Sequence, residues 1–238
     1  MMINSKLKTM VPVMLVALAG VSSPAFAADE TGTTKAIDVE VTLAGVSDYR
    51  FRGLSLSGID PAFQPAIVIT HKSGVYGSIW GSNVSDNGGD DIEVDLVAGI
   101  AHDIGKVTVN VNATYYLYPG AGSTNYIEFI GKVSTPVGPG TVGLTVAYAP
   151  SQVHIGSQDN IYVALDGSLP IGGTPLSLTG SFGFEDGAFG DKKKDWSLGV
   201  TADVAGFTLG AAYVDTAHAQ NFGRIAKAGA VFSISRTF

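Results

Sequence analysis

The side chains of this chain that could do chemistry fall into three sets. The first is four histidines, His71, His102, His154 and His218, in a chain without cysteine. Thiol catalysis, disulfides and cysteine-ligated zinc are therefore excluded. Ser151 and Ser157 flank His154, Asp159 follows it, and Asp215 precedes His218. A serine near a histidine is raw material for acyl transfer, but no G-x-S-x-G elbow accompanies it. A lone His–Asp neighbour without a second histidine at ligand spacing does not make a metal site. The second set is carboxylates two residues apart: Asp38 and Glu40, then Asp91, Glu93 and Asp95. The third is Arg50 and Arg52, also two apart, which could meet carboxylates or phosphates bidentately. On a strand, a spacing of two puts side chains on one face, so these sets form a site only if strands carry them.

The pattern along the chain is that of strands. Ile92, Val94, Leu96, Ala98 and Ile100 alternate with Asp91, Glu93 and Asp95. Val107, Val109, Val111, Ala113 and Tyr115 alternate with Lys106, Thr108, Asn110, Asn112 and Thr114. Period two over such lengths predicts strands with one apolar and one polar face. About twelve such segments follow one another: 37–49, 62–71, 75–83, 91–101, 106–117, 125–134, 141–149, 160–169, 175–184, 195–204, 207–215 and 226–238. Their length, about nine to thirteen residues, suits a tilted strand crossing hydrocarbon. Short turns alternate with longer polar loops near 50–61, 84–90, 118–124, 150–159, 185–194 and 216–225. That order is the one seen in bacterial barrels, whose short turns face the periplasm.

The N-terminus sets the compartment. Lys6 and Lys8 precede an apolar run from Met10 to Val21, and Ala25-Phe26-Ala27 is an A-x-A cleavage signature. This predicts a secretory signal peptide over 1–27 and a single barrel over 28–238. The apolar run is shorter than the ~20 residues a membrane helix needs. The whole chain carries a net charge of −7. Losing the two leader lysines makes the mature part more acidic still, which argues against nucleic acid as a partner. Mean hydropathy is +0.27, yet the rest of the chain has no apolar run long enough for a spanning helix. A chain apolar overall but never apolar for long is expected to cross as a barrel. The expected fold is all-β, a transmembrane antiparallel up-and-down β-barrel of about twelve strands in the outer membrane.

Aromatic residues agree with the barrel. On the apolar register, Tyr49, Tyr115, Tyr148, Phe184, Trp196 and Tyr213 fall at loop ends of strands, and Phe207 and Phe238 at turn ends. Interfacial girdles place rings there. Arg236 is the exception on that register, close enough to the strand end to snorkel.

With the apolar register outside, the other register faces a lumen. It holds Asp38, Glu40, Asp91, Glu93, Asp95, Glu128, Asp166 and Asp203 against Lys106, Lys132 and Lys227. Rings of carboxylates favour cations. Arg50 and Arg52 fall on the inward face if Tyr49 and Phe51 point outward. They could form a positive wall, reach lipopolysaccharide phosphates at the rim, or pair with buried acids and fix the loop, the last being the ordinary role of arginine in such settings. Lys192-Lys193-Lys194 reads as an exposed loop that could touch anionic lipopolysaccharide.

Ser47-Asp48-Tyr49-Arg50-Phe51-Arg52-Gly53, Ser55, Ser57 and Pro61-Ala62-Phe63-Gln64 resemble the opening signature of the TorF-type porin family of proteobacteria. Ser73-Gly74-Val75-Tyr76-Gly77, Trp80 and Ser82-Asn83-Val84 continue the resemblance. Pro65 stands where that family usually has glycine, and a proline belongs at a strand start, bulge or edge, which would start the second strand at Ile67. The alternating last strand ending in Phe238 resembles the signal read by the barrel-assembly machinery, with Arg236 departing from its usual apolar residue. The resemblance implies an outer-membrane location and a channel.

The function expected from all this is passive diffusion of small solutes or ions, with a preference for cations. The alternative is a structural or adhesive barrel with a side-chain-filled lumen, since twelve strands lie between filled and open sizes. No enzyme activity, metal or cofactor is expected. The expected partners are outer-membrane lipids and lipopolysaccharide, the barrel-assembly machinery during biogenesis, and further copies of the chain, as in trimeric porins.

Overall fold

The computed structural model describes residues 36–85, 91–120 and 124–238; the leader expected over 1–27 lies outside them. The strands are β1 (Ile37–Val46), β2 (Arg50–Phe51), β3 (Leu54–Ser55), β4 (Ala62–His71), β5 (Val75–Asn83), β6 (Ile92–Ile104) and β7 (Val107–Leu117), followed by β8 (Tyr126–Val137), β9 (Gly140–Gln152), β10 (Gln158–Pro170), β11 (Leu176–Gly187), β12 (Gly190–Val204), β13 (Phe207–Ala217) and β14 (Gly229–Thr237). Twelve of them close a barrel in the order β1-β14-β13-β12-β11-β10-β9-β8-β7-β6-β5-β4, while β2 and β3 pair only with each other. Neighbours are antiparallel and sequential, so the wall is an up-and-down meander. The closing seam is short: β1 pairs with β14 over five residues, from Thr42↔Thr237 to Val46↔Ser233. On its other side, β1 pairs with β4 over ten, from Ile37↔His71 to Val46↔Ala62.

The alternation read from the sequence sets the two faces of this wall. Leu165 and Leu198 are 62% and 60% exposed, as are apolar neighbours such as Ile79, Val111, Phe129 and Phe232, and together they form an apolar belt. The residues between them turn inward and are buried: Glu93 and Asp95 on β6, Asn110 and Asn112 on β7, Glu128 on β8. A closed sheet leaves no edge, and an apolar exterior around a polar interior is the solution a spanning sheet requires. The chain is a transmembrane barrel of the outer-membrane type.

The girdles take shape at both rims. Tyr148 donates through its hydroxyl to Asp159 at 3.3 Å and Tyr213 to Asp215 at 3.1 Å, so each ring sits against lipid with its polar tip at the long-loop rim. At the short-turn rim, the Arg236 guanidinium lies over the rings of Phe207 and Phe238, at 5.2 and 4.9 Å from their centroids.

Three expectations need correction. First, β4 begins at Ala62, before Pro65. Pro65 pairs with Leu43 of β1, while pairing of β4 with β5 starts only at Ala66↔Trp80, so the proline stands at a local edge. There the Asn83 side chain replaces the missing ladder, accepting from Phe63 N at 2.8 Å and donating to Pro61 O at 3.0 Å. Second, the stretch 185–194 is not a loop: β11 runs to Gly187 and β12 starts at Gly190. Its charged residues continue the strand alternation, and Lys193 is fully buried on the inward side. Third, Tyr49 is not on the outer girdle. The chain leaves the wall after Val46 and turns inward, burying Tyr49 at 1% exposure.

Candidate functional site: a hairpin inside an acidic ring

The segment after β1 forms a hairpin within the lumen, and the local sequence explains why. Phe51 pairs with Leu54 across Arg52-Gly53, and both turn residues have positive φ, 48° and 84°. This is the left-handed pair of a two-residue type I′ turn, with glycine in its usual second place. The base is fixed by Asp48. Its carboxylate takes Arg50 Nε at 2.6 Å, Ser55 Oγ at 2.6 Å and Ser57 Oγ at 3.3 Å. Ser57 Oγ is also reached by Tyr49 N at 2.9 Å. Arg50 donates further to the carbonyls of Gly53, Ile225 and Lys227. The residues shared with the opening signature, Asp48, Arg50, Ser55 and Ser57, are thus the ones that fold the hairpin.

Contacts with the wall run around the lumen. Tyr49 meets Trp80 of β5 at 5.3 Å between centroids and donates to Glu93 Oε1 of β6 at 3.3 Å. Burial, and then the neighbouring Glu93 and Asp95 carboxyls, push the Tyr49 phenol well above its ordinary range, which keeps it a donor. Phe51 packs edge-on against Tyr116 of β7 at 5.9 Å. Tyr116 stacks on Tyr126 of β8 at 4.4 Å, and Tyr126 meets Phe189 at 4.9 Å. Leu54 packs on Ala219, Ala226 and Phe222 of the last long loop.

Arg52 at the tip makes the central contacts. Its Nη1 donates to Glu185 of β11 at 2.7 Å and its Nη2 to Glu128 of β8 at 2.6 Å. The guanidinium lies 4.3 Å from the Tyr162 centroid on β10, a cation–π contact strengthened by desolvation. Burial would lower its pKa, but the Glu128 and Glu185 carboxylates hold it well above the ordinary arginine value. Lys193 of β12 donates to the Arg52 carbonyl at 2.6 Å and pairs with Glu185 Oε2 at 2.8 Å. Asn160 adds a bond to Glu185 Oε1 at 3.0 Å, Tyr116 one to Glu128 Oε2 at 3.1 Å, and Tyr162 one to Asp195 at 3.2 Å.

The lumen candidates from the sequence lie at four levels. Arg50, Arg52, Glu93, Asp95 and Glu128 are buried in the third of the barrel nearest the long loops. Deeper in the lumen, Lys132 and Asp166 pair at 2.9 Å with side chains 32% and 26% exposed. Asp38, Lys106 and Asp203 are exposed at the short-turn end, with Glu40 half-buried nearby; Asp91 is exposed at the opposite rim. Asp203 accepts from Thr208 at 2.6 Å. Arg50 and Arg52 take the paired, loop-fixing role. Neither lines an open wall or reaches the rim.

Sequence reasoning missed Asp48, Glu185, Lys193 and Asp195, all buried in this cluster. The last three follow the inward register of β11 and β12, and extending the alternation through the charged run would have found them. The loop histidines act as staples: His154 and His218 bond the carbonyls of Asn125 and Lys192 at 2.9 and 3.1 Å.

The fold is similar to solved porins. "KdgM porin" superposes with a TM-score of 0.54 at 6% identity, and the NanC porin with a TM-score of 0.54 at 10% identity. Each match covers 84% of this chain and 98% of the other, so the likeness extends over the whole barrel. No curated protein sequence matches the chain. The family model Gcw_chp, described as a bacterial protein of unknown function, matches residues 30–238, and the chain belongs to that family.

Proposed function

We propose that this barrel is a channel for passive diffusion of small hydrophilic solutes or ions across the outer membrane, with a preference for cations. The observation that carries the reading is the inner face. Beside small apolar clusters such as Ile130–Ala147–Ala164 and Tyr76–Val97–Ala101, it presents hydroxyls, amides and the partly exposed Lys132–Asp166 pair, where a purely structural barrel could fill its whole core with apolar side chains. The excess of inward carboxylates gives the expected ion preference. The resemblance of residues 47–64 and 73–84 to TorF-type porins supports the same reading, and the final strand ending in Phe238 fits insertion by the barrel-assembly machinery. Refolded protein in a planar bilayer under a salt gradient tests it. Conductance steps with a reversal potential of cationic sign are expected. Sealed membranes at every voltage would defeat the channel, and an anionic sign would defeat the preference.

A second reading has its own observation. The hairpin and its buried ion pairs fill the long-loop third of the lumen, as in a plugged barrel that does not conduct. The same recording separates the two.

A further inference from the structure

We infer that the hairpin is a cationic stopper seated in an acidic ring, so that its withdrawal both opens the long-loop mouth and makes that mouth cation-selective. The inference rests on the channel reading above.

The charges divide unequally between stopper and wall. The wall around the hairpin buries Glu93, Asp95, Glu128, Glu185 and Asp195 against one base, Lys193. The hairpin segment brings Asp48, Arg50 and Arg52. Arg50 is satisfied within the segment and the last long loop, by Asp48 and three carbonyls. The guanidinium presented to the wall is therefore that of Arg52. The ring has acceptors to spare: Glu93 Oε2 and Glu128 Oε1 are buried with no hydrogen-bond partner among the described residues. A permeating cation could take the place Arg52 now holds.

The attachment is also of a kind that can be undone. β2 and β3 pair with each other and with no barrel strand, so removing the hairpin breaks no ladder of the wall. It is held by side-chain contacts, chiefly those of Arg52, and by the Lys193 bond to the Arg52 carbonyl. At that residue the backbone lies in the left-handed region at φ 48°, unfavourable for a side chain other than glycine. Local strain of this kind persists where surrounding contacts over-determine it. Free of the ring, the tip has less reason to keep that conformation.

The test locks and releases the stopper in one protein. Leu54 of the hairpin clusters with Ala226 of the last long loop, whose carbonyl accepts from Thr216 Oγ1 on β13, and the chain has no native cysteine. The full chain carrying Leu54→Cys and Ala226→Cys is refolded, confirmed as a closed barrel by heat-modifiable migration, and recorded oxidised and then reduced. Oxidation is expected to abolish the larger conductance level and reduction to restore it, with the reversal potential moving toward cation selectivity. Arg52→Gln, which keeps a polar tip without the charge, is expected to raise the open fraction several-fold. Equal conductance and equal reversal potential in the oxidised and reduced forms would overturn the stopper and leave the channel standing. Silence in every form, Arg52→Gln included, would overturn both.

Discussion

Lys132 on β8 and Asp166 on β10 form their ion pair across the inner face of β9, over the one position, Gly143, where a side chain would stand between them. A Cβ there would lie 2.9 Å from the Asp166 carboxylate oxygens and 3.0 Å from Lys132 Cε. Both are free ends of flexible side chains, so Gly143→Ala is expected to cost less than about 1 kcal/mol while parting the pair. Gly99→Ala is the contrast. Its Cβ would meet the Tyr76 ring and Asn112 Cβ at 2.7 Å, both held in the packed wall, and overpacking of that kind costs about 1–3 kcal/mol. Denaturant midpoints in micelles should rank the two variants in that order. The reverse ranking would contradict the placement of these residues.

Arg52 divides its guanidinium between two buried carboxylates. Arg52→Ala leaves Glu128 without its basic partner and Glu185 with Lys193 alone, and breaking a buried pair in this way costs about 3–5 kcal/mol. Adding Glu128→Gln to Arg52→Ala should recover much of that loss, because the stranded carboxylate goes with its partner while Glu185 keeps Lys193. Arg52→Lys should recover little, since an ammonium lacks the planar fork that serves both acids at once. Urea midpoints of the four proteins read this out. Full stability of Arg52→Ala would show that the hairpin does not depend on these pairs.

Asn83 fills the gap in the ladder beyond Pro65, bridging to Phe63 and Pro61. Asn83→Ala removes two hydrogen bonds and is expected to cost about 1–3 kcal/mol, at about 0.5–1.5 kcal/mol net for each. The loss should be local: the Phe63 amide, which now donates to Asn83, should exchange with deuterium faster, while amides of β9 and β10 remain protected. Unchanged exchange at Phe63 would rule out the side-chain bridge.

The apolar belt makes a depth-dependent prediction. Val111 points outward near the middle of β7 and Ile104 at the short-turn end of β6. Arginine at Val111 should cost about 2–4 kcal/mol in a bilayer, and at Ile104 about 0–1 kcal/mol. Folding titrations into lipid vesicles measure both. Equal costs would place the belt elsewhere.

Much of this structure was legible as alternation. Each of the twelve barrel strands lies where period two places it, because an apolar belt and a polar lumen impose one rule on every strand. The limits of that rule mark what was not legible. Glu185, Lys193 and Asp195 keep the alternation, but a run of charge suggests a loop to composition-based reading, and the ion pairs that permit such a run inside come from Arg52, some 130 residues away. Tyr49 illustrates the opposite failure. It continues the apolar register of β1 in sequence, yet the chain has already left the wall, and only the tertiary partners Trp80 and Glu93 reveal its inward position. The hairpin did leave a local trace, Arg52-Gly53 between apolar Phe51 and Leu54, a type I′ turn signal. Nothing in that trace says whether the hairpin stands above the barrel or folds into it.

The uneven seam has a consequence for how the wall comes apart. β1 is joined to β4 by ten residue pairs, whereas β1–β14 and β4–β5 have five each, and local opening concentrates where the fewest bonds must break together. Thermal breathing of the cylinder should therefore centre on these two short joints, with β1 and β4 moving between them as a paired panel. The wall should part there first on unfolding, with the amides of Gly45 and Ile234, which face each other across the β1–β14 joint, exchanging ahead of those in the β9–β10 joint.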